Sequence, residues 1–190
     1  MNNIKLNGKF VVGYIGTHGL AHPLEIIVEA AEILKAQTDI IFLMVGNGAQ
    51  KNKIVKLAET KLLKNIHFID QKPKNEIAAI LRLCNLGLSV LKDVELFRSV
   101  IPSKIFEYFA LGLPVLISAP RGEATQIIEK YGAGVSIPPE SGPALASEIL
   151  RLYKDGKERE ALGANARLAS GHFQRNVQAK KMIDFITKFY

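Results

Sequence analysis

Lys104 and Glu107 lie three residues apart in the stretch PSKIFEYFALGLPVL, residues 102–116, which is otherwise almost entirely apolar. A charge on a face destined for burial is costly unless it is paired or used. Pro102 suits the first turn of a helix, where its missing N–H costs nothing. Ser103 can accept a backbone N–H there, or offer its own N–H and hydroxyl to a ligand. Gly112 fits the helix end and Pro114 the stop. A helix so bounded presents positive partial charge at its N-terminus, and Lys104 adds a full charge at the same place, which is the chemistry of a diphosphate site. Glu107, one turn on along the same face, can accept two hydroxyls at once, as the 2′- and 3′-OH of a ribose present them. The competing reading is a Lys104–Glu107 surface pair worth about 0.2–0.5 kcal/mol. Spacing alone leaves both open.

Other residue types with chemical potential are less telling. GYIGTHG places Gly13, Gly16 and Gly19 at the end of an apolar run. The spacing is G-x-x-G-x-x-G, so the dinucleotide fingerprint G-x-G-x-x-G is not met. Gly16 can still let backbone amides approach a pyrophosphate; the other reading is a tight turn and nothing more. In VGNG, Asn47 stands where NAD enzymes often carry an acidic residue for the ribose, and no P-loop motif occurs. His18 and His22 are four apart in a glycine-containing loop, without H-E-x-x-H or a neighbouring third ligand, so no metal site is expected. The single cysteine, Cys84, excludes an internal disulfide framework and reads as a small buried residue.

These residues need elements to position them. Apolar runs at residues 10–16, 40–46, 66–70, 86–91, 114–118 and 133–137 read as buried strands. Helical spacing falls between them, at residues 24–34, 49–62, 75–83, 102–111 and 123–130. Continuous apolar strands alternating with helices indicate an α/β fold, a doubly wound, mostly parallel six-stranded sheet covered on both faces. Three further helices, at 143–153, 157–169 and 176–189, form a helical tail. Ligands of such sheets bind at the carboxyl ends of the strands, where strand order reverses. That directs attention to the loops after the first, fourth and fifth strands.

Length and composition fit this picture. The 190 residues suffice for one domain with a real core, and 48% are apolar. The longest clean apolar run is far too short to span a bilayer. A net charge of +7 suits an anionic partner. No run of five basic residues occurs, and aromatics do not interleave with basic residues as on a base-stacking platform, so nucleic acid is not expected.

The string IPSKIFEYFALGLPVLISAPRGEA resembles the donor-binding segment of family 4 (group 1) retaining glycosyltransferases of the two-domain GT-B fold, in particular the bacterial group that builds O-antigen and capsule polysaccharides. The resemblance continues through GYIGTHGLAHPLEIIVEAA, FLMVGNGAQKNKIVKLA and NIHFIDQKPKNEIAAILRLCNLGLSVL, and ends at GANARLASGHF, so it covers almost the whole chain. It implies the C-terminal, Rossmann-like half of such an enzyme, with residues 1–172 holding a nucleotide sugar. Residues 173–190 would then be a helix that packs toward an N-terminal acceptor domain. Carried over by position, Lys104 matches the cation near the diphosphate and Glu107 the second glutamate of an E-x7-E motif, which holds the ribose. Gly16, with Thr17, matches the loop that admits the diphosphate. Lys72 and Pro73 match the loop where the base packs against backbone. Ser103 and Ser99, with Arg98 as a helper, complete the donor-binding set.

The departures are specific. Ser99 stands where the first glutamate of E-x7-E would be, which leaves the donor sugar open; Glu95 is near but out of register. Thr17 follows Gly16 where many relatives have arginine, and His22-Pro23 replaces a Lys-Gly pair. The resemblance implies UDP in preference to GDP, no metal or other cofactor, and a lipid-linked or saccharide acceptor. It also implies a cytoplasmic setting, with peripheral contact to an anionic membrane, and a donor half that transfers sugar poorly on its own. Competing readings are half of a non-hydrolysing nucleotide-sugar epimerase, an NAD-dependent oxidoreductase, and a non-catalytic α/β interaction domain.

Overall fold

A computed structural model describes residues 6–188. Six strands form one sheet: β1 (Phe10–Ile15), β2 (Ile40–Val45), β3 (Ile66–Ile69), β4 (Leu86–Val90), β5 (Val115–Ser118) and β6 (Gly134–Ile137). Their spatial order is β3-β2-β1-β4-β5-β6, and every pairing is parallel. The order reverses between β1 and β4. The chain leaves β1 toward β2 on one side, then returns to lay β4 on the other.

Helices α1 (Glu25–Ile33), α2 (Lys51–Thr60), α3 (Lys74–Leu81), α4 (Lys104–Leu111), α5 (Glu123–Tyr131), α6 (Gly142–Lys154) and α7 (Gly156–Ser170) cover both faces. Because the sheet is covered twice, β1, β2, β4 and β5 are buried at every position and read as unbroken apolar runs rather than alternations. One core lies under α1 and α6, around Phe42, Met44, Ile27 and Ile149. The other lies under α4, α5 and α7, around Leu43, Tyr108, Phe109 and Ile117.

The expected strands and helices all occur within a few residues of their expected ends. One element was not foreseen: a 3-10 helix, Glu95–Ser99, in the polar stretch between β4 and α4. The last helix, α8 (Arg175–Ile186), buries no residue and leaves Met182 and Ile183 more than 60% exposed.

Candidate functional site

Helix α4 owes its placement to Tyr108. This fully buried phenol donates to the Leu88 carbonyl (3.0 Å) and accepts weakly from the Ile15 N–H (3.5 Å). It therefore ties α4 to both β4 and β1, the two strands that flank the reversal. Ile105 and Phe109 pack on the same face, and Gly112 closes the helix in the left-handed conformation (φ 66°). The N-terminus of α4 consequently faces the carboxyl end of β1, with Lys104 as its first residue.

The loop after β1 is stitched from both sides. The Gly16 N–H donates to Val45 O, the His18 N–H to Asn47 O, and the Gln50 N–H back to His18 O, all at 2.8–2.9 Å. On the other flank Lys92 N–H donates to Ala21 O, and His22 Nδ1 lies 2.8 Å from Val90 O. A carbonyl only accepts, so that contact puts the proton on Nδ1 and leaves Nε2 with its lone pair. The two glycine loops press together tightly: a Cβ on Gly46 (φ 151°) would sit 1.9 Å from the Gly16 carbonyl oxygen. Gly16 itself has φ 149°, and a Cβ there would lie 2.9 Å from Lys104 Nζ. Gly13 plays a different part, making room within β1 for the Cys84 sulfur.

Between these loops and α4 lies a cavity of about 500 Å³. Gly16, Thr17, Lys72, Ser103, Lys104 and Glu107 line it, together with His22, Asn47, Gln71 and Phe97. Six of the nine expected donor-site residues are thus brought to one space. Pro73, Arg98 and Ser99 are not in its lining. Pro73 is the exposed residue that opens α3. The Arg98 guanidinium pairs with Glu95 (2.8 Å), and Ser99 Oγ donates to Leu96 O.

Lys104 is the electrostatic centre of the site. Its side chain is buried (9% exposed), and Nζ has no hydrogen-bond partner. No ion pair with Glu107 forms among the described residues, so the surface-pair reading does not describe this geometry. Glu107 is exposed and faces the same cavity. The ammonium rests instead over the ring of Tyr14, 3.7 Å from its centroid. Burial draws the Lys104 pKa down from 10.5 to about 7, and the Glu107 charge partly opposes this. Burial, and then the charges of Lys51 and Lys104, hold His18 down at about 4. His22 is lowered chiefly by burial, with Lys104 adding to it against the Val90 contact. Both imidazoles are therefore neutral beside the lysine at pH 7. No group of His, Cys, Asp or Glu that could hold a metal ion occurs among the described residues.

Spacing did not single out Tyr14 or His22 as site residues. Tyr14 reads as one more apolar residue of a buried strand, and nothing in the sequence shows that its ring faces Lys104, ninety positions on. The one signal for His22 was its place in the His22-Pro23 pair, a departure from what the resemblance implies there.

The family model of the group 1 glycosyl transferases matches residues 2–169. WcaI of Escherichia coli strain K12, named for colanic acid biosynthesis as a glycosyl transferase, is 31% identical over 145 residues. That match covers 75% of this chain and 35% of WcaI, so the chain spans about a third of that relative's length. Among solved structures, Anabaena HepE in complex with UDP and glucose superposes with a TM-score of 0.82 at 19% identity, covering 98% of this chain and 50% of HepE. Sucrose-phosphate synthase of Thermosynechococcus elongatus gives 0.83 at 21%, covering 99% and 47%. The C-terminal domain of the group 1 family protein LpcC of Francisella tularensis gives 0.73 at 20%, covering 85% and 84%.

Proposed function

The chain belongs to the group 1 glycosyl transferases, and we propose that it is the donor-binding half of a retaining enzyme of bacterial cell-surface polysaccharide synthesis. The observation that carries this reading is Lys104: a buried ammonium without a hydrogen-bond partner, at a helix N-terminus that opens on a cavity at the strand reversal. Such a group is costly in an empty site and valuable beside a diphosphate. In this reading Lys104, the α4 N-terminus and the Gly16 loop hold the diphosphate. Glu107 accepts the ribose hydroxyls, and the loop at Lys72 receives the base.

The complete enzyme would move a hexosyl group from a nucleoside diphosphate to a lipid-linked or saccharide acceptor, with retention at the anomeric carbon. The contribution of this half is to fix the donor and to stabilise the charge that develops on the departing diphosphate. An N-terminal domain would supply the acceptor site and the second wall of the cleft, so the chain alone transfers sugar poorly. UDP is the expected nucleotide, with GDP next, and no divalent metal is needed. The setting is the cytoplasm, with peripheral contact to an anionic membrane. No described helix is long and apolar enough to cross a membrane.

The test is calorimetric titration of the chain with UDP, GDP, NAD and inorganic pyrophosphate, at low salt and with chelator present. Binding of one nucleoside diphosphate and of pyrophosphate, but not of NAD, is expected. Affinity for NAD alone, or an absolute requirement for a divalent ion, would overturn the assignment.

A further inference from the structure

The Lys104 ammonium has no carboxylate partner, yet it is held in one place, and Tyr14 is what it touches. Nζ lies 3.7 Å from the ring centroid, well inside the range where an aromatic face attracts a cation. Tyr14 is completely buried, and its hydroxyl donates to the carbonyl of Thr17 at 2.8 Å. One side chain therefore contacts both the cation and the loop that carries Gly16. We propose that Tyr14 is a positioning residue for the diphosphate site: its ring holds the Lys104 ammonium charged and aimed at the cavity, and its hydroxyl sets the height of the Gly16–Thr17 turn against it. The diphosphate role rests on the function proposed above; the effect of the ring on the lysine does not.

The alternatives for holding the ammonium are few. Glu107, on the same helix, does not reach ion-pair distance. The other ionisable groups that act on this corner are His18 and His22, from the loop after β1, and Lys51 of α2, which acts through His18. Lys104 Nζ donates to neither imidazole, and the second lysine repels, so none of them holds the cation. Both imidazoles also pack near the Tyr14 ring, at 5.8 and 6.0 Å between centroids. Removal of water from the ring and the ammonium together strengthens their attraction.

The experiment replaces Tyr14 with phenylalanine, then with mono-, di- and trifluorinated phenylalanines, in the full 190-residue chain. The series keeps the shape of the ring, so the core stays packed while the negative face of the ring is removed stepwise. Carbon-13 labelling of the lysines, with Lys104→Met to assign the signal, then follows the Lys104 titration in the ligand-free protein. The midpoint should be nearly unchanged in Tyr14→Phe and fall by about one pH unit across the fluorinated series. A midpoint that stays flat across the series would make the ring a mere packing residue and overturn the proposal. Affinity for inorganic pyrophosphate at pH 7.5 should fall already in Tyr14→Phe, which loses the Thr17 contact, and by about a further three- to tenfold across the fluorinated series. If the unaltered chain binds neither pyrophosphate nor UDP, the donor-site reading fails, whereas the titration series still decides whether Tyr14 holds the cation.

Discussion

Replacing Lys104 with methionine should stabilise the ligand-free chain and abolish most of its diphosphate affinity, two effects of opposite sign from one change. Burial lowers the ammonium from 10.5 to about 7. At about 1.4 kcal/mol per pH unit, that gap opposes the charged fold by about 5 kcal/mol. The cost disappears when an apolar side chain of similar length fills the place. In a chain of this size that is a rise of about 10–20 °C in Tm where the lysine is charged. The sign follows from proton binding. Between about pH 7 and 10.5 the unfolded chain holds the proton more tightly than the folded one, so wild-type stability climbs with pH. The advantage of Lys104→Met is therefore full near pH 6 and gone by about pH 10.5. Affinity moves the other way: loss of a charge-assisted hydrogen bond of about 1.5–3 kcal/mol weakens pyrophosphate roughly ten- to over a hundredfold. Thermal melts of both proteins across this pH range, with and without pyrophosphate, measure everything required. A variant that melts lower than wild type, or two parallel pH curves, would mean that the ammonium is satisfied in the empty site, and the reasoning would fail.

Glu107→Gln should weaken UDP by about tenfold and change pyrophosphate much less, since only the nucleotide offers ribose hydroxyls; equal losses by calorimetry would remove the ribose role. Gly46→Ala should cost about 3 kcal/mol or more, because its Cβ meets backbone at 1.9 Å. Gly16→Ala carries the same backbone strain at φ 149°, but its Cβ meets only the movable end of Lys104, so it should melt below wild type and above Gly46→Ala, and lose pyrophosphate affinity; the reverse order of melting for the two variants would contradict the packing of the two loops. Deleting residues 175–190 should leave Tm within about 2 °C, because α8 buries nothing. A larger fall in the melt would show that α8 supports this domain.

The layering of this fold was legible because the strands are buried on both faces, and such strands announce themselves as unbroken runs such as IIFLMV. The end of α4 was equally plain from Gly112 and Pro114. The 3-10 turn at Glu95–Ser99 was not, since it lacks apolar periodicity and is held by short-range contacts such as Ser99 Oγ to Leu96 O. At the site, Lys104 betrayed itself as a charge in apolar company. Its real neighbour is Tyr14, and that contact exists only because the sheet order sets β1 beside β4, under α4. No local pattern contains that information. His18 is hidden for the same reason: it is fully buried among groups from β1, α2 and α4, while its sequence context looks like an exposed glycine loop.

The replacement at Ser99 bears on which part of a donor this chain can recognise. Ser99 stands where the resemblance places a carboxylate for the sugar, and it lies outside the cavity. Glu95, the nearest candidate, is exposed and tied to Arg98. Glu107 is then the one carboxylate in the lining, and its place on α4, beyond Lys104, suits the ribose. Sugar hydroxyls are left with neutral partners such as Asn47 and the Nε2 of His22, which bind more weakly than a charged acceptor. The nucleoside diphosphate should accordingly carry nearly all the affinity, and UDP, UDP-glucose and UDP-N-acetylglucosamine should bind this chain within about threefold of one another. Calorimetry under one set of conditions decides it. A preference of more than about tenfold for one sugar would show that this half reads the sugar by itself, through a group other than the carboxylate that Ser99 replaces. Closely matched affinities would assign that choice to the other wall of the cleft.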